Sequence, residues 1–253
     1  MKPIFLFGLL ASNIIFSQNS LQLADSLYAI RAEGSSKNIA KAFNIEKAIK
    51  YYYQSFNEKN TIEASVGLLK SQFFYGKYVV IDNDKKKRIF DEAVKFARKN
   101  ITKFPQSAAI RYWYLVNLGS WAEVFGIIAA AREGFADIMK SESEKIIELD
   151  SSYSDGGGYF MLGVVHLRAP YVPFVIPWPD KILAESLLEK ARKTGNETLV
   201  QKVYYAKSLY KNNKKEKAIG LFTEVTTSLP SEANLVEDWE QILEAEDLLK
   251  NLK

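Results

Sequence analysis

From about residue 20 onward, apolar side chains recur at three- and four-residue intervals, and no run of alternating apolar and polar residues is bounded by hairpin turns. This pattern predicts an all-α chain. Breaks fall at Gly34–Ser36, Asn57–Thr61, Asp82–Asp84, Pro105–Ser107, Ser151–Gly158, Ala169–Pro179, Thr194–Glu197, Asn212–Lys214 and Pro230–Ala233. They delimit about ten helices.

The helices pair. From Leu199 to Pro230 the chain follows the 34-residue tetratricopeptide (TPR) spacing. Ala206 stands at the close-contact position of the first helix and Ala218 follows in the second. Phe222 and Val225 continue the seam, and Pro230 ends it. Small residues let two antiparallel helices approach, and aromatics fill the groove against the next pair. Leu162 and Gly163 with Ala184, Leu188 and Ala191 repeat that grammar, as do Ala93 and Ala97 preceded by a helix from Ile62 to about Val80. The expectation is TPR-like helical hairpins in a solenoid or a closed bundle. Leu235–Leu252, apolar along one stripe and acidic elsewhere, reads as a solvent-facing capping helix.

The first residues carry a different signal. Lys2, an apolar run from Ile4 to Phe16 broken by Ser12 and Asn13, and then Ser17 form a secretory signal with the cut after Ser17. That run is shorter than the roughly 20 residues a membrane span requires, so no stable membrane anchor is expected. Residues 18–253 then form a single all-helical, exported and periplasmic domain. The chain has no cysteine, which removes disulfides, thiolate metal sites, thiol nucleophiles and a lipidated cysteine. The net charge of +4 gives no argument for nucleic acid.

Part of the chain also resembles a known family. Tyr112-Trp113-Tyr114-Leu115-Val116-Asn117-Leu118-Gly119, Glu148-Leu149-Asp150 leading to Asp155-Gly156-Gly157-Gly158-Tyr159, Leu162-Gly163, and Pro170 before a helix with Ala184 and Ala191 are similar to the T-component (TatT-like) family of TRAP transporters. The resemblance covers about a third of the chain directly. It implies a non-enzymatic periplasmic TPR protein that partners a solute-binding protein and has a cavity or pore through the stack, where a small hydrophobic ligand is handled. The chain departs from the family in lacking the lipidated cysteine and in its proline-rich, aromatic loop. An envelope-complex scaffold holding a peptide or a protein helix, unrelated to transport, is the alternative.

Candidate chemistry is sparse. His166 is the only imidazole, and it stands on a helix three residues past Gly163, as a packed side chain with one local hydrogen bond would. No metal motif accompanies it, and neither a metal nor another cofactor is expected. Gly156–Gly158 precede Tyr159-Phe160 rather than the Lys-Ser/Thr of a phosphate loop, so a tight turn is expected there. No catalytic residues are assigned.

Binding candidates are aromatic and polar. Trp113, Asn117 and Trp121 follow one another at four-residue spacing. Either Asn117 bonds to neighbouring backbone while the tryptophans fill the core, or this face lines a cavity in which Asn117 orients a ligand. TPR register places Phe160, Val164 and Arg168 of one unit beside Lys207 and Tyr210 of another on the concave surface. The loop Ala169–Asp180 holds four of the six prolines that follow the signal, together with Trp178. It reads as lid, plug or partner surface.

Overall fold

The computed structural model describes residues 20–252 except 127, 128, 131, 132, 172, 173 and 175. The signal segment Met1–Ser17 and its cut lie outside the described residues. Eleven helices are labelled in chain order. They are α1 (20–29), α2 (Ala42–Glu58), α3 (Ile62–Tyr78), α4 (Asn83–Lys103), α5 (Ala108–Phe125), α6 (Phe135–Leu149), α7 (Tyr153–Arg168), α8 (Lys181–Arg192), α9 (Leu199–Lys211), α10 (Lys215–Thr226) and α11 (Leu235–Asn251). No β-strand occurs among the described residues, and none of their helices is long and apolar enough to cross a membrane.

Local chemistry sets the boundaries. Backbone N–H groups at the starts of α3, α4, α5 and α8 donate to the side chains of Thr61, Asp82, Ser107 and Asp180, which satisfies donors that the helix itself leaves unpaired. At α9, Thr198 and Gln201 form a reciprocal capping box. One boundary escapes the sequence pattern: α5 and α6 are separated by Gly126 (φ 99°) and Gly134 (φ 71°), so the helical run after Ser107 is two helices.

The hairpins pack as their small residues require. A Cβ on Gly67 would fall 2.2 Å from the Tyr52 ring, and one on Gly163 would lie 2.7 Å from Leu188 Cγ, so α2 against α3, between successive hairpins, and α7 against α8, within one, approach to van der Waals contact only because those Cβ atoms are missing. In the C-terminal unit Ala206, Ala218 and Val225 are fully buried and Phe222 nearly so, and they form one core with Ile242 and Ala245 of α11.

Consecutive helices pack on one another, and the odd-numbered ones also pack in series, α3 on α5, α5 on α7, α7 on α9 and α9 on α11. The first helix of each hairpin therefore faces inward and the second faces out, the arrangement of a TPR superhelix. This superhelix closes. Val236 of α11 is fully buried in the N-terminal core with Ala24, Phe74 and Tyr78. The Arg31 Nη2 donates to the Ala233 carbonyl and to Glu237, and the Tyr78 hydroxyl donates to Glu240 at 2.7 Å. The last helix is thus no solvent-facing cap. One stripe covers α10, and the acidic stripe turns inward across the ring.

Candidate functional site: the central cavity

Closure leaves a central cavity of about 1210 Å³, walled by the inward faces of α1, α3, α5, α7, α9 and α11. Its aromatic surface comes from Tyr28, Phe73, Tyr78, Tyr112, Trp113, Phe160 and Tyr204. The Trp113 ring lies 6.0 Å from Phe73, and Phe160 meets Tyr204 edge-on at 5.4 Å.

Between these rings runs a chain of ion pairs. Lys77 of α3 reaches Glu240 of α11 at 3.2 Å and Glu123 of α5 at 3.8 Å. Arg168 of α7 reaches Glu123 at 2.7 Å and donates to the Tyr204 hydroxyl of α9, and Lys207 of α9 pairs with Glu244 of α11 at 2.5 Å. Burial pushes the Lys77 ammonium down, but Glu240 and Glu123 outweigh it and hold it above the ordinary lysine range. For Glu123, burial raises the carboxyl while Lys77 and Arg168 pull it below the usual carboxylate range. These charges couple neighbouring hairpins across the cavity, which suits a wall that must hold its shape around water or ligand.

Five of the nine candidate residues meet at this wall: Trp113, Phe160, Val164, Arg168 and Lys207. Val164 and Arg168 also border an apolar side pocket of about 100 Å³ between α5, α6 and α7, floored by Ala122, Ala130 and Ala136.

The other four lie elsewhere. Asn117 is fully buried; its Nδ2 donates to the Leu69 carbonyl of α3 and to the Trp113 carbonyl, so it ties α5 to α3 rather than facing the cavity. Trp121 stacks on Phe125 at 3.9 Å and leans on Phe135 of α6. A four-residue step advances about 40° around a helix, so two steps turn Trp121 roughly 80° from Trp113, enough to move it off the inner face. Trp178 donates its Nε1–H to Asp137 at 2.7 Å and meets the His166 ring, which packs this part of the loop against α6 and α7. Tyr210 sits on the outside, with Lys215 over its ring.

His166 is 5% exposed, and its Nδ1 accepts the Asp180 backbone N–H at 3.2 Å. Burial, with Lys140 beside it, lowers the imidazole below its ordinary range against the pull of Asp180 and Glu144. It anchors the residue that caps α8. At Gly156–Gly158 the turn is tight: Ser154, Asp155 and Gly156 are left-handed, and a Cβ on Gly157 would fall 2.5 Å from the Tyr112 ring. No group of three or more metal-ligating side chains occurs among the described residues.

Sequence reasoning missed Tyr28, Arg31, Lys70, Lys77 and the acidic face of α11. A signal was present: Lys70, Phe73 and Lys77, and likewise Glu237, Glu240 and Glu244, repeat at the three-, four- and seven-residue intervals of a single helical face.

No family model matches the sequence, and no curated protein sequence matches it. Among solved structures, a thermophilic TPR protein from Thermus thermophilus superposes with a TM-score of 0.61 at 14% identity, over 90% of this chain and 99% of that one. The fold is therefore an all-α TPR-like helical repeat.

Proposed function

We propose that this protein is an exported, non-enzymatic TPR binding protein that holds a small ligand in its central cavity, as the accessory of a TRAP-type uptake system whose solute-binding protein it meets. The observation that carries this reading is the roughly 1210 Å³ cavity lined by the inward-facing helices and faced with seven aromatic rings. The secretory pattern read at Met1–Ser17 and the resemblance of the Arg111–Ala191 stretch to the T-component family support a periplasmic setting. A catalytic role gains no support from His166 or Asn117, since both spend their side chains on backbone groups inside the fold. Native mass spectrometry of the protein purified from the periplasm tests the proposal. A retained small molecule, or a co-purifying solute-binding protein, is expected; the bare chain alone contradicts it.

One observation favours the alternative scaffold. The cavity exceeds the usual upper size of a small-molecule pocket, roughly 1,000 Å³. An extended peptide or a helix from an envelope protein would then be the occupant, and would appear in the same spectra as a polypeptide mass.

A further inference from the structure

The cavity wall carries six cations and six carboxylates, and nearly all of the cations are satisfied by an oxygen. Arg31 pairs with Glu237, Lys77 with Glu240, Arg168 with Glu123 and Lys207 with Glu244. Lys211 donates to the Leu167 carbonyl. Lys70 of α3 is the exception among the described residues. Its ammonium makes no hydrogen bond or ion pair and faces two rings, Tyr28 at 4.8 Å and Trp113 at 5.7 Å from the ring centroids, while Asp25 and Glu237 act on it only beyond ion-pair range.

A half-buried ammonium that has lost water and gained no carboxylate is held at a cost. Ring faces return a fraction of that cost. Burial first, and then the Arg31 charge, push Lys70 below the ordinary lysine range, against the weaker pull of Asp25 and Glu237. An anion arriving at Lys70 would reverse this imbalance, because a desolvated cation beside apolar walls attracts an anion more strongly than a hydrated one does. The surface next to it is aromatic: the Trp113 and Phe73 rings, 6.0 Å apart and tilted 54° to each other, both line the cavity.

We propose that Lys70 anchors an anionic group of the cavity's ligand, and that the aromatic body of the same molecule packs into the angle between the Trp113 and Phe73 rings. This inference rests on the cavity being a ligand site and adds the chemistry of what it takes, an amphipathic aromatic anion. The other cations are already paired, so one anionic group per ligand is the stoichiometry that the wall supports.

Two dyes with a common framework separate the two levels. N-phenyl-1-naphthylamine is neutral, and 1-anilinonaphthalene-8-sulfonate adds a sulfonate to the same rings. Fluorescence titration is expected to show both binding the wild-type protein. In Lys70→Met the sulfonate should bind about tenfold more weakly while the neutral dye is unchanged, and Lys70→Arg should restore most of the loss. Melting temperatures of the two variants confirm that both are folded. If Lys70→Met weakens both dyes equally, or neither, the anionic anchor is overturned while the cavity stands as a ligand site. If neither dye binds the wild type, the anchor and the cavity reading fall together; if the neutral dye binds and the sulfonate does not, the anchor alone is overturned. In competition, displacement of the sulfonate by 3-phenylpropionate indicates a carboxylate ligand and displacement by phenyl phosphate a phosphate ester. Displacement by neither overturns the proposal.

Discussion

Arg31 and Glu237 stand 206 positions apart in sequence and 2.7 Å apart in space. Arg31 is 6% exposed, and its guanidinium also donates to the Tyr28 and Ala233 carbonyls, so the first and last turns of the superhelix meet at a buried, multiply bonded charge. Together with the burial of Val236 among Ala24, Phe74 and Tyr78, this contact turns a stack of hairpins into a ring with an interior.

The costs of removing the two partners should therefore not add. Glu237→Gln leaves a buried guanidinium without its counter-charge, and is expected to lower stability by about 2 kcal/mol, with part of the loss relieved because Glu237 is partly exposed. Arg31→Met combined with Glu237→Leu should be less destabilising than the sum of the single changes. Urea denaturation of the full cycle measures this, and additive losses would show that the pair is uncoupled.

Gly163 and Gly220 should respond oppositely to alanine. Both lie inside helices, where alanine is favoured by roughly 1 kcal/mol. A Cβ at Gly163 meets Leu188 Cγ at 2.7 Å and the Leu188 backbone N at 3.2 Å, whereas nothing lies within 4 Å at Gly220. Gly163→Ala is expected to destabilise by about 1–3 kcal/mol through overpacking of α7 on α8, and Gly220→Ala to raise the melting temperature. Thermal melts of the two variants check both signs.

Stability should also fall in mild acid through His166. Its neutral Nδ1 accepts the Asp180 N–H, and burial holds its pKa below the ordinary value of about 6.5. The native state thus binds the proton less readily than the unfolded chain. The contribution is fully present above about pH 6.5 and is lost as pH falls through the lowered native value. His166→Asn should flatten the wild-type stability curve between about pH 7 and pH 5; an unchanged slope would remove His166 as its cause.

The difference between what was legible and what was not follows distance along the chain. Thr61, Ser107 and Thr198 announce helix starts because a cap acts within three residues. The pairing of Ala206 with Ala218 is visible because a hairpin brings positions twelve apart together. Closure has no such local signal: Glu237 and Val236 look like parts of an ordinary amphipathic helix, and only the summed curvature of five hairpins decides what they meet. The same limit affects the site. Trp113 was legible as a wall residue, but Asn117 and Trp121 were carried away from it by helix rotation, and the acidic face of α11 gained its role only when the ring closed.

A distance between the two ends of the ring decides whether the cavity exists in solution. The chain has no cysteine, so Ile30→Cys with Glu232→Cys gives two unique, exposed labelling sites for pulsed electron–electron double resonance. A closed superhelix predicts one narrow distribution centred within roughly 20–25 Å, the width of two packed helices. An open solenoid of five hairpins spaced about 10 Å apart would instead give a broad distribution near 40–50 Å, and that result would contradict the ring and the cavity built on it.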